Sequence, residues 1–334
     1  MHSNSKSCAI AILLAIAFAA FFFNRPLPAN AAGFRVLFQD GVEIGVWYPS
    51  DTATTSQRLG PFEVDIARDA PIKKGVHQII LFSHGNSGYY RDHHLTARIL
   101  ADAGFIVAAP QHEADYFIGG RETARALNHR YLELDAALKA VLAESDFRGH
   151  VNGDAIHGLG HSLGGATILL AAGAEYSTDR VVEHCRLNTV ADAGFCEYSG
   201  SAKLPGHNVS LPETADLFRN KPLTNGKIVL VAPVFQGLGV EESLSATSLV
   251  VFAIEGDKII KPEFHARPLV NVASPHLPTD LQSIPGHHYA FVAPFPKWLT
   301  DKENIPAAFD PEGFDRHSFL SDLNARILSV FLTK

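Results

Sequence analysis

Ala155-Ile156-His157-Gly158-Leu159-Gly160-His161-Ser162-Leu163-Gly164-Gly165 is the stretch on which the fold turns. Ala155–Leu159 reads as a short apolar strand, and Leu163–Ala174 as a helix so rich in small apolar residues that it belongs in a core. Between them, Gly160-His161-Ser162-Leu163-Gly164 fits G-x-S-x-G in the strand-turn-helix context that gives this spacing its meaning. A serine on such a sharp turn takes strained backbone angles. The flanking glycines let neighbouring backbone pass where a Cβ would collide. The turn lifts the hydroxyl above the sheet, and the helix N-terminus behind it favours developing negative charge. The bland alternative is a structural turn with an inert serine.

Outward from this stretch the chain alternates strand and helix. Strand-like runs fall at Val36–Phe38, Glu43–Tyr48, His77–Phe82, Phe105–Ala109, Lys227–Ala232 and Leu249–Ile254. Several are continuously apolar, as expected of strands buried on both faces in a parallel sheet. Helical patterns fall at His94–Ala103, which stops at Gly104, at His129–Ala143 and at about Ser318–Leu332. The alternation predicts an α/β fold with a mostly parallel, doubly wound sheet. Gln39-Asp40-Gly41 predicts an antiparallel N-terminal hairpin closed by an Asp-Gly turn. Residues 175–226 break the rhythm with Pro205, Pro212 and Pro222 and no strong strand before Lys227. They read as a lid-like insertion that shapes a pocket, or as surface decoration.

A nucleophilic serine needs a base, an acid to orient the base and donors for an oxyanion. The order Ser, Asp, His supplies each. Asp257 follows the strand Leu249–Ile254, at the rim where the serine turn lies; Glu255 is the other acid there. The base lies in Pro285-Gly286-His287-His288-Tyr289-Ala290-Phe291. His288 is preferred to His287 because Tyr289 and Phe291 would wall its ring. The oxyanion donors are the N–H of Leu163, next after the serine, and the N–H of Asn86 in Ser83-His84-Gly85-Asn86-Ser87-Gly88. Tyr89 and His161 are candidates to touch substrate, and Arg91 to line the same pocket. His112 and Asp115 read as a solvated loop. His93 and His94 are adjacent on a helix, point to different sides and make a poor metal pair.

Residues 1–31 carry Lys6, then an unbroken apolar run from Cys8 to Phe23, then a polar, proline-bearing stretch ending in Ala29-Asn30-Ala31. This is the layout of a cleaved signal peptide, leaving 32–334 as one catalytic domain. The apolar run is short of the ~20 residues of a spanning helix, so an anchor is the weaker reading. Export places the protein outside the cytoplasm, secreted or periplasmic. There Cys185 and Cys196, the two cysteines left, are expected to pair. Hydrophobic residues at 46% and charged ones at 19% argue against disorder, and a net charge of −7 argues against nucleic acid as a partner. Three cysteines in all are too few for a zinc ribbon or an iron–sulfur centre.

The segments Val46-Trp47-Tyr48-Pro49, Phe82-Ser83-His84-Gly85-Asn86, Gly160–Gly165, Glu255-Gly256-Asp257 and Gly286–Phe291 together resemble the α/β-hydrolase superfamily. The nearest likeness is to the branch of dienelactone-hydrolase-like, platelet-activating-factor acetylhydrolase-like and polyester-degrading serine esterases. Dienelactone hydrolases proper use a cysteine nucleophile, whereas position 162 is serine, so that activity is not implied. The resemblance implies the α/β-hydrolase fold and hydrolysis of a small-molecule or polymeric carboxylic ester by Ser162, Asp257 and His288. It implies no metal and no cofactor. An amidase or peptidase on the same triad, and a non-catalytic binding homologue, are the competing readings.

Overall fold

In the computed structural model, residues 31–112, 120–199, 217–240 and 244–333 are described. The export segment expected at 1–31 lies outside them except for Ala31, which opens the first strand. Thirteen strands are described: β1 (Ala31–Gln39), β2 (Val42–Ser50), β3 (Thr55–Leu59), β4 (Phe62–Arg68), β5 (His77–Ser83), β6 (Ile106–Pro110), β7 (Val151–His161), β8 (Glu175–Ser177), β9 (Leu217–Arg219), β10 (Lys227–Val231), β11 (Leu238–Gly239), β12 (Ser248–Ile254) and β13 (Thr279–Ile284). Ten form one mixed sheet in the order β13-β12-β10-β7-β5-β6-β2-β1-β4-β3. From β13 to β6 every neighbouring pair is parallel. β2 pairs antiparallel with both β6 and β1. The β1–β2 hairpin turns on Asp40 (φ 54°) and Gly41 (φ 84°), with Gln39 opposite Val42. An Asp-Gly pair supplies the two positive φ values such a turn demands.

The central strands are apolar throughout because they are covered on both sides. Along β5, Ile79 and Leu81 join one buried cluster while Ile80 and Phe82 join the other. One face is covered by α1 (His94–Asp102) and α6 (Arg316–Leu332) through Ala97, Leu100, Leu323 and Ile327. The opposite face is covered by α2 (Gly120–Ala143) and α3 (Leu163–Ala171) through Leu134, Val141, Ile168 and Leu169. Each large aliphatic or aromatic side chain buried this way contributes about 1.5–3 kcal/mol.

Some boundaries differ from expectation. α2 begins at Gly120, nine residues ahead of the predicted His129. α3 ends at Ala171, and the chain turns at Gly173 (φ 94°). The 175–226 region holds β8, α4 (Thr178–Asn188), α5 (Ala193–Tyr198) and β9, so it has strand structure the sequence did not suggest. β8 joins β9 and β11 in a small second sheet. A disulfide links Cys185 to Cys196 across α4 and α5. Residues 200–216 of that region lie outside the described residues. Among the described residues, no helix is long and apolar enough to cross a membrane.

Candidate active site

β7 runs directly into Ser162, and α3 starts at Leu163. Ser162 takes φ 54° and ψ −120°, a strained conformation for a residue with a side chain. Three backbone bonds hold it there: Ser162 N–H donates to the Val231 carbonyl at 3.0 Å, and the Ser162 carbonyl accepts from Gly165 N–H at 2.9 Å and Val234 N–H at 3.0 Å. The flanking glycines answer to close backbone. A Cβ on Gly160 would stand 2.5 Å from the Gly164 carbonyl oxygen, and one on Gly164 would stand 2.6 Å from the Ser83 carbonyl carbon.

Asp257 sits just past β12, its N–H donating to the Ile254 carbonyl at 3.0 Å. Its Oδ1 accepts from the N–H groups of Ile259 and Ile260, both at 2.8 Å, which fixes the carboxylate plane. Its Oδ2 accepts from His288 Nδ1 at 2.6 Å. His288 Nε2 is 3.0 Å from Ser162 Oγ and accepts its hydrogen bond. With Nδ1 donating to a carboxylate, Nε2 is left with the lone pair a general base requires. All three residues are buried. Glu255 instead turns outward onto Arg267 at 2.7 Å. His287 turns onto Asp310 at 2.8 Å and packs against Phe314. Neither reaches Ser162.

Leu163 N–H is the first of its helix and has no intrahelical acceptor by position. Asn86 lies in the loop after β5, and its N–H has no acceptor among the described residues. Both residues are placed around the serine: Gly85, beside Asn86, is so near that a Cβ there would be 3.4 Å from Ser162 Cβ.

His161 lines the cavity beside His288. Its Nε2 faces the His288 carbonyl at 3.1 Å. A carbonyl can only accept, so Nε2 carries the proton. Burial pushes the His161 pKa down to about 3, with the His288 charge adding to the shift, so the ring is neutral. Tyr89 is exposed at the cavity mouth with the Arg91 guanidinium 3.9 Å over its ring.

Beneath the loop that follows β5 lies a buried network that sequence reasoning missed. Glu133 Oε2 accepts from His112 Nδ1 at 2.6 Å, and His112 Nε2 accepts from Ser83 Oγ at 2.9 Å. Arg130 donates to Ser83 Oγ at 3.2 Å, to Thr167 Oγ1 at 3.0 Å and to the His84 carbonyl. His112 was expected in a solvated loop, but it is buried as a spacer between the sheet and α2. Glu133 on the polar-looking turn of a helix pattern was the available signal. Asp115 lies outside the described residues.

Ser162 and His288 open onto a cavity of about 690 Å³. Its walls come from Arg58 and Gly60 of the β3–β4 hairpin, Tyr89 and Arg91, Ile259 and Ile260, and the Val292–Ala307 segment that includes Phe295 and Trp298. The described residues of 175–226 do not line it. They lie instead against the loop that carries Asp257, with Gly194 packed on the Ile259 carbonyl. His184, Asp192 and Cys196 are the one group among the described residues with potential metal-ligand atoms within 4.8 Å. The Cys196 sulfur is spent in the disulfide, which leaves no thiolate for a metal. His93 and His94 lie in ring packing against Phe291 and Phe62, not as a pair facing one point.

No protein-family model matches the chain, and no curated protein matches it.

Proposed function

We propose that this protein is a serine hydrolase of carboxylic esters on an α/β-hydrolase fold, with 175–226 as an insertion. The observation that carries this reading is the unbroken chain Asp257–His288–Ser162, with bonds of 2.6 and 3.0 Å, at the wall of a largely apolar cavity. Ser162 Oγ attacks the ester carbonyl as His288 Nε2 takes its proton. The N–H groups of Leu163 and Asn86 bind the oxyanion. Collapse breaks the carbonyl–alkoxide bond, His288 returns the proton to the leaving alcohol, and an acyl-enzyme remains. Water then attacks with His288 as base, and the acid leaves. Asp257 keeps His288 in the right tautomer and stabilises its charged form. His161 holds the His288 backbone.

The disulfide supports an oxidising destination, secreted or periplasmic, in keeping with the export segment of 1–31. N-terminal sequencing of exported material that found Met1 would remove that part of the reading.

The test is labelling with a fluorophosphonate probe, followed by a chain-length series of p-nitrophenyl esters and a matched anilide, with Ser162→Ala as control. Labelling at Ser162 and cleavage of esters well ahead of the anilide are expected. No label at Ser162 would sink the hydrolase reading, and faster anilide cleavage would turn it to an amidase.

A further inference from the structure

The cavity over Ser162 has apolar walls at Ile260, Val292, Phe295 and Trp298, with Arg58, Arg91, Asp92 and Glu303 also lining it. Arg91 Nε is shielded from solvent and has no hydrogen-bond acceptor. No acidic side chain among the described residues forms an ion pair with its guanidinium. The adjacent acid, Asp92, is committed elsewhere, its Oδ2 accepting the Tyr89 N–H at 2.8 Å. Arg91 is nonetheless held in place. Its guanidinium lies 3.9 Å over the Tyr89 ring, and on the other side it crosses Gly60, where a Cβ would stand 3.2 Å from Arg91 Cζ. Stacking and a bare backbone position the fork, and Asp92 is near enough to feel its charge without hydrogen-bonding to it.

A guanidinium N–H shut away from solvent without an acceptor, as at Arg91 Nε, is costly, and such groups in native proteins call for a reason. Its planar pair of donors matches a carboxylate. We propose that Arg91 is a subsite for the free carboxylate of a hydrophobic half-ester: an ester of a dicarboxylic acid whose second acid group is unesterified. The ester carbonyl lies at Ser162, the apolar chain fills the cavity, and the carboxylate docks on Arg91. This rests on the hydrolase reading and narrows its substrate class.

Binding tests it without turnover. In the Ser162→Ala protein, calorimetry with monomethyl octanedioate and with dimethyl octanedioate compares one chain with and without the free charge. The half-ester is expected to bind about 10- to 100-fold tighter, the range of a charge-assisted hydrogen-bonded pair. Adding Arg91→Met, which keeps an apolar stem over Gly60, is expected to bring the two within about threefold. Arg91→Lys should restore part of the preference. Equal or tighter binding of the diester in Ser162→Ala overturns the subsite with no further variant needed. So does a preference that survives Arg91→Met. Failure of the hydrolase reading is read separately: a preserved half-ester preference with no fluorophosphonate labelling of Ser162 leaves the subsite and removes the chemistry.

Discussion

Gly164 lies so close to Ser83 that a Cβ at position 164 would overlap the Ser83 carbonyl oxygen and approach the His84 carbonyl oxygen to 2.7 Å. The serine turn and the end of β5, which leads into the loop that carries Asn86, are thus one packed unit. Backbone atoms cannot yield as a side-chain tip does. Gly164→Ala is therefore expected to destabilise the fold by about 3 kcal/mol, the upper part of the range for overpacking. Urea unfolding measures it; an unchanged midpoint would show that the two segments can part without cost.

The two adjacent histidines provide a second prediction. His288 touches both Ser162 and Asp257, while His287 is bonded to Asp310. His288→Ala should lower kcat for ester cleavage by about 10⁴-fold or more, since a triad loses most of its effect with any one member. His287→Ala should change kcat by less than about tenfold, because it removes only a hydrogen bond to Asp310 near the surface. Comparable losses in both variants would show that the 285–291 turn acts as a whole, not through one ring.

Where chemistry is local, the sequence could be read. The small residues of 160–171 and the apolar second half of β7 specify a strand, a turn and a buried helix within a few residues of each other. The acid and base could be sought because each follows a recognisable strand or turn, in an order a triad permits. β3, β4 and β13 escaped detection for a physical reason. They lie at or beside the sheet margins, and β4 alternates buried and exposed positions, so none presents an apolar run. The cavity wall was equally hidden. Gly60, Tyr89, Ile260 and Trp298 come from four separate segments, and no spacing within any one of them signals that they meet. The buried Glu133–His112–Ser83 network is tertiary in the same way.

Acid stability should expose the burial of the histidines. Desolvation lowers the pKa of His161 to about 3, of His94 and His157 to about 4, and of His84, His93 and His112 below the usual range. The unfolded chain protonates these rings near pH 6.5, and the native state does not. Their contribution is therefore fully present above about pH 6.5 and is lost as pH falls toward the native values. Asp92 and Asp102 act in the opposite sense. Desolvation raises both to about 6, so between about pH 6 and 4 the native state holds their protons better and gains stability. The histidines outnumber them. Stability should fall on acidification from pH 6.5 to 4.5 by about 1.4 kcal/mol per pH unit for each histidine not so offset. Denaturant midpoints across this range measure it, and a flat profile would mean that the rings gain protons without unfolding.

The Cys185–Cys196 disulfide closes a short loop, with eleven residues of sequence separation, against the segment that carries Asp257. Inside the loop, Asp192 Oδ2 accepts from His184 at 2.8 Å and from His265 at 3.2 Å. The Ala191 carbonyl accepts from Lys261 Nζ, whose chain position follows the Ile259 and Ile260 amides that hold the Asp257 carboxylate. Opening this loop adds freedom to the unfolded chain and loosens what Asp257 leans on. The double variant Cys185→Ser, Cys196→Ser should lose about 3 kcal/mol of stability by loop entropy. Well below its unfolding midpoint it should also lose kcat, because Asp257 orients His288 through the affected segment. Reduction of the native protein with dithiothreitol should reproduce both effects, and reoxidation should reverse them. A reduced protein with unchanged stability and full kcat would show that the Asp257 segment is held by its own β12 and Ile254 contacts alone.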